Sequence, residues 1–125
     1  MKRLFILLAV SVFMLSCGGS QGLDQTKPEN VVEAVFKAAK SGNFEELKLL
    51  CDPNGENDGD TRRICELTEE DKAEFVEFFK DGKVSGQAAI NGDEAEVPFT
   101  FGPGGTETET MRLIKRGDKW YLYSF

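Results

Sequence analysis

The hydrophobic period of the chain changes once, near Lys83, from about 3.6 residues to 2. That change sets the order of the layers: helices first, strands last. Val31, Val35 and Ala38 fall at i, i+4 and i+7, with Val32, Phe36 and Ala39 beside them, so the first helix has one broad apolar face. Pro28 suits its first turn, Thr26-x-x-Glu29 has the form of a capping box, and Ser41-Gly42 supplies a left-handed stop. Asn43-x-x-Glu46 predicts a second, short helix with Phe44, Leu47 and Leu50 turned inward and Cys51 beside them. Residues 52–61 read as a polar loop. A third helix starts at Thr68-x-x-Asp71, carries Phe75, Val76, Phe78 and Phe79, and ends at Asp81-Gly82.

Beyond Lys83, Val84, Gly86, Ala88 and Ile90 alternate with polar neighbours, and so do Ala95, Val97, Phe99 and Phe101. Asn91-Gly92 between the two runs is a strong hairpin signal, because both residues tolerate positive φ. A turn there pairs Ile90 with Asp93, Ala88 with Ala95, Gly86 with Val97 and Val84 with Phe99. A wider turn over 102–105 leads to a strand over 106–116. Gly117-Asp118 then turns it into a last strand over 119–125, pairing Leu113 with Leu122, Lys115 with Trp120 and Arg112 with Tyr123. The expectation is an α+β domain, with three N-terminal helices packed on one face of a four-stranded antiparallel meander.

Charge and composition exclude several functions. The chain has 125 residues, 15 Lys+Arg against 22 Asp+Glu, and a net charge of −7. Without a basic cluster it is unsuited to a nucleic acid backbone. It contains no histidine, which rules out Ser-His-Asp and Cys-His catalysis and His-based zinc sites. No cofactor is implied.

The first residues read as an address. Lys2 and Arg3 precede an uncharged run over 4–15, too short for a membrane span of ~20 apolar residues and suited to a secretory signal. The run ends in Met14-Leu15-Ser16-Cys17-Gly18-Gly19, which resembles a bacterial lipobox. The resemblance implies cleavage before Cys17 and lipid attachment to Cys17. The chain is thus expected to divide into a signal over 1–16, a lipidated cysteine with a flexible tether over 17–27, and a folded domain over 28–125. Its expected place is the bacterial cell envelope, lipid-anchored, facing the periplasm or on the outer membrane.

Two further stretches carry a family resemblance. Residues 28–44, PENVVEAVFKAAKSGNF, resemble the opening of small bacterial lipoproteins of the nuclear transport factor 2-like superfamily. Residues 111–121, MRLIKRGDKWY, resemble its closing strand pair. The resemblance implies a cone: helices covering one end of a strongly curved sheet, with a pocket between. The superfamily includes isomerases and dehydratases that place Asp, Tyr or His inside the cone, as well as non-catalytic members, so the fold does not carry one function.

Several residues could carry chemistry. Once Cys17 takes lipid, Cys51 and Cys65 remain, either bridged or as two buried thiols. Export favours the bridge, which closes a loop of about 15 residues and contributes roughly 3 kcal/mol. Within that loop Asn54, Glu56, Asp58 and Asp60, with Gly59, echo alternating calcium ligands, but Cys65 stands where a bidentate Glu belongs, and a solvated turn is the competing reading. Glu94, Glu96, Glu107 and Glu109 alternate as a wet face does, and no acid/base pair stands out. Phe99, Phe101, Met111, Leu113, Trp120 and Leu122 either fill the core or line an apolar pocket. The last strand is apolar on both sides. Tyr121, Tyr123 and Phe125, with Arg112 opposite Tyr123, form a second face that needs cover from a loop, a sheet-to-sheet homodimer or a partner. The expected function is a non-catalytic binding or interaction module at the envelope, whose partner is a small apolar ligand or an envelope protein. The alternative is an apolar-ligand carrier or cone-pocket enzyme of isomerase or dehydratase type. The volume left inside the cone separates the two.

Overall fold

The computed structural model describes residues 23–125. The expected signal over 1–16, Cys17 and the first part of the tether lie outside the described residues. Among the described residues no helix is long and apolar enough to cross a membrane.

Helix α1 spans Pro28–Ser41 and stops at Gly42, whose φ of 75° is the left-handed cap. A single 3-10 turn, Leu47–Leu49, follows. Helix α2 is Gly59–Cys65 and α3 is Lys72–Phe79. The strands are β1 (Lys83–Val84), β2 (Ala89–Asn91), β3 (Glu94–Phe101), β4 (Glu107–Arg116) and β5 (Lys119–Ser124). All pair antiparallel: β3 joins β4, β4 joins β5, and β1 and β2 both lie along the other edge of β3. The α+β class and the meander are as expected. The fifth strand arises because the first expected strand is split in two.

Pro98 stands opposite that split. It accepts the Ser85 amide at 2.9 Å but has no N–H to return. Val84 pairs with Phe99 as expected, but Ala89 pairs with Glu96, so four residues oppose two and the ladder bulges. The Glu29 carboxylate on α1 accepts the Ala88 amide in the bulge at 2.9 Å. Glu29 is therefore no capping-box partner of Thr26, whose hydroxyl turns to Asp24. The bulge also moves the hairpin: Asn91 pairs with Glu94, and the turn is Gly92-Asp93.

Two other expectations are corrected. The helix expected from Asn43 is only the 3-10 turn, and α2, which was not expected, begins in the last three residues of the expected loop. Asp58 caps α2 by accepting the Thr61 amide at 2.8 Å. Gln25, within the stretch expected to be tether, is buried, and its side-chain amide donates to the Trp120 carbonyl at 3.0 Å. The Trp120 amide in turn donates to the Gln25 carbonyl, and that of Leu122 to Leu50. Gln25 and the segment from Leu50 to Asp58 thus satisfy the outer edge of β5, which would otherwise be open to pairing.

Helix α1 lies across the sheet and against α3. Val31, Val32, Val35 and Phe36 meet Val97, Phe99, Met111, Leu113 and Leu122, all at most 3% exposed.

Candidate functional site

Aromatic rings fill the space that a cone would offer to a ligand. Phe36 of α1 lies 5.7 Å from Phe99 and 6.0 Å from Phe79, centroid to centroid. Phe125 meets Phe79 at 6.3 Å and Phe99 at 6.2 Å, both edge-on. Of the six pocket candidates, Phe99, Met111, Leu113, Trp120 and Leu122 are buried core residues. Phe101 is half-buried and stacks on Phe78 at 5.6 Å.

Phe125 was expected beside Tyr121 and Tyr123 and is not there. The β4–β5 ladder slips between Arg112 and Leu113: Leu113 opposes Leu122, but Arg112 opposes Ser124. The extra residue reverses the alternation and sends Phe125 to the core side. Arg112 consequently does not pair with Tyr123. The two line a shallow outer hollow of about 280 Å³ with Ile90 and Ile114. Tyr121 faces a different hollow, whose wall includes Leu49, Cys51 and Pro53, so the chain's own loop partly covers that end of the second face.

An apolar cleft of about 230 Å³ does open, but between α2 and α3. Its walls are Ile64, Leu67, Phe75, Phe78, Phe79 and Phe125; Asp60, Arg63, Asp71 and Glu74 stand around them. Arg63 is within 3.5 Å of Asp71, which leaves Asp60 and Glu74 as excess negative charge. Phe78 is 43% exposed. Phe75, Val76, Phe78 and Phe79 lie on one helix, as expected. Their spacing, i, i+1, i+3 and i+4, makes one apolar face about 160° wide, the same spacing that Val35, Phe36, Ala38 and Ala39 bury on α1, so the pattern alone does not mark Phe78 as exposed.

The loop between the cysteines has a different chemistry from the one expected. Cys51 and Cys65 form a disulfide with their Cα atoms 6.1 Å apart. Asp52 has a fully buried carboxylate, gripped by Arg116 through two bonds of 3.2 and 3.1 Å. Burial would push the Asp52 carboxyl upward, but the Arg116 guanidinium and the Asn54 amide outweigh it and hold it below its ordinary 3.8. Glu56 also meets Arg116, at 3.1 Å. Asp58 is spent as a helix cap, Asn54 offers its amide to Asp52, and Asp60 faces the cleft. The four calcium candidates thus do not converge, and among the described residues no cluster of three acidic or thiol groups could hold a metal.

The chain can be compared with known proteins on this geometry. It resembles the crystal structure of a candidate NTF2-like transpeptidase from Campylobacter jejuni, with a TM-score of 0.51, 18% identity, and coverage of 77% of this chain and 96% of that one. The fold is NTF2-like. The NTF2-like arrangement is also similar to the solution structure of a SEC-C motif containing protein from Rhodopseudomonas palustris. That match has a TM-score of 0.51, 21% identity, and coverage of 80% of this chain and 77% of the other. No protein-family model and no curated protein matches the sequence. At these identities the likeness extends to the fold alone. Within this NTF2-like fold, side chains occupy the interior and the apolar cleft lies outside it.

Proposed function

We propose that this chain is a lipid-anchored protein of the bacterial envelope, acting as a non-catalytic binding module whose contact surface is the cleft between α2 and α3. The anchoring half of the reading rests on Lys2, Arg3, the apolar run and Cys17. The binding half rests on one observation: the rings of Phe36, Phe79, Phe99 and Phe125 close the interior, and an apolar cleft opens outside it between α2 and α3. The interior holds apolar side chains where an enzyme of this fold would need an acid or base. The buried carboxylate Asp52 is already neutralised by Arg116. At about 230 Å³ the cleft is smaller than the ~300–1,000 Å³ that encloses a whole ligand. It suits one or two apolar side chains of a protein partner. Asp60 and Glu74 favour a positive charge beside them.

Two measurements test the reading. The Cys17→Ala chain should leave the membrane fraction for the soluble one, and retention would refute the anchor. A synthetic peptide alternating Phe and Lys should bind the full chain and lose most of its affinity to Phe78→Ser, whereas a Phe-Glu peptide should not bind. Equal binding of both peptides, or none, would refute the cleft.

A further inference from the structure

A second hollow lies on the other side of α2, and its charge is opposite to that of the cleft. Helix α2 turns Arg62 and Cys65 toward the hollow, but Asp60, Arg63 and Ile64 toward the cleft. The hollow, about 570 Å³, carries Lys48, Arg62 and Lys119. Its two acidic residues are Glu66 and Asp52, and Asp52 shares Arg116 with Glu56, so the lining carries three cations against two carboxylates. In a chain of net charge −7, this is a local excess of positive charge. Leu49 stands at its edge, 54% exposed. Exposed cations around an exposed leucine are the makings of a contact with a membrane interface.

The course of the chain brings a membrane to this hollow. Gln25 lines it and donates to the Leu49 carbonyl at 3.4 Å. Two residues before Gln25 the described chain begins, at Leu23. Only six residue steps separate Leu23 from Cys17, a reach of about 20 Å at full extension. A lipid on Cys17 therefore keeps Leu23 within about 20 Å of the bilayer, some two and a half Debye lengths at physiological salt when the tether is fully extended and fewer when it is not.

We propose that the hollow bearing Lys48, Arg62 and Lys119 docks on the anionic headgroups of the membrane that anchors the chain. This rests on the anchored reading above and adds an orientation to it. The hollow faces the lipid, and the cleft on the opposite side of α2 stays open to a partner.

The test uses the full chain in vesicles of phosphatidylcholine alone or with phosphatidylglycerol. Lysine acetylation is read residue by residue by mass spectrometry. Phosphatidylglycerol should slow modification of Lys48 and Lys119 at least about fivefold, the equivalent of one cationic side chain at a charged surface. Lys72 and Lys80, at the two ends of α3, should be unchanged. Lys48→Glu should return Lys119 most of the way to its rate on phosphatidylcholine. Equal rates on both vesicles, or equal slowing at all four lysines, would overturn the docking surface. So would a hollow that responds only to an acidic protein partner. The intact mass of the purified chain reports separately whether Cys17 is acylated. If it is not, the anchored reading fails, and coupling Cys17 to a maleimide lipid in the same vesicles still tests the docking.

Discussion

Removing Arg116 should expose how much of this domain depends on one buried charge. The Asp52 carboxylate has no solvent exposure and takes two hydrogen bonds from Arg116, with the backbone amides of Asn54 and Glu56 as its other partners. In Arg116→Met the carboxylate stays buried without its cation, which costs about 3–5 kcal/mol when a buried pair is broken from one side. Arg116 is itself 32% exposed, so water can enter behind it, and the expected loss is near 3 kcal/mol. For a domain of this size that is a fall in melting temperature of about 12–24 °C. Glu56, 61% exposed on the same guanidinium, should cost less than about 1 kcal/mol as Glu56→Gln. The pH dependence carries the sign. In the native chain Asp52 is held below 3.8, so its contribution is complete above that value and disappears as pH falls through the lower folded value. In Arg116→Met burial is opposed only by the backbone amides of Asn54 and Glu56, so the carboxyl rises from its native value and acid weakens the variant less than the native chain. Urea unfolding from pH 7 to 3 should therefore show the gap between the two closing toward acid. A gap under about 1 kcal/mol at pH 7, or one that does not change with pH, would refute this account of Asp52.

Three other perturbations have defined outcomes. Replacing Cys51 and Cys65 by Ser should cost roughly 3 kcal/mol, and iodoacetamide should label neither in denatured, unreduced protein; labelling of both would deny the bridge. Gly82→Ala places a Cβ 2.6 Å from the Phe36 ring and 2.9 Å from the Thr100 carbonyl, so it should lose about 1–3 kcal/mol, and a neutral result would mean that the Phe36 ring is free to move. Glu29→Ala should cost about 1 kcal/mol and speed hydrogen exchange at the Ala88 amide in the bulge, while amides of β4 exchange as before.

What was legible in the sequence was local. Gly42 ends α1 where a left-handed residue was expected, and Gly117-Asp118 turns β4 into β5 with Leu113 opposite Leu122. Both follow from the turn preferences of a few adjacent residues. The corrections come from contacts distant in sequence. Pro98 was readable as a missing donor, but which strand would meet it was not, and the hairpin register moved with the bulge. Asp58-x-x-Thr61 is a helix start that resembled a calcium loop, because the same oxygen-rich residues serve both purposes. Asp52 and Arg116 lie 64 positions apart with no pattern linking them. The cleft was not legible: Phe75, Val76, Phe78 and Phe79 have the spacing of an ordinary buried face, and the far wall is Phe125, turned inward by the β4–β5 bulge.

Both proposed surfaces depend on α2, and α2 cannot stand alone. Seven residues are too few for a helix to persist in water. Three attachments hold it. Asp58 caps its start, Ile64 enters the core, and Cys65 at its end is bridged to Cys51. Cys51 in turn lies beside Leu122 of β5, in register with the strand that carries Tyr121 and Tyr123. The disulfide thus ties the partition between the acidic cleft and the basic hollow to the edge of the sheet. Neither sulfur needs to touch a partner or a lipid for its loss to disturb both faces. Reduction releases the C-terminal end of α2, and with it the positions of Ile64 and Leu67 on one side and Arg62 and Glu66 on the other. A bridge closing a 14-residue separation is accordingly more than a general constraint on the unfolded chain. In this fold, whose interior is already full of phenylalanine, it determines whether the outside of the cone keeps a defined shape.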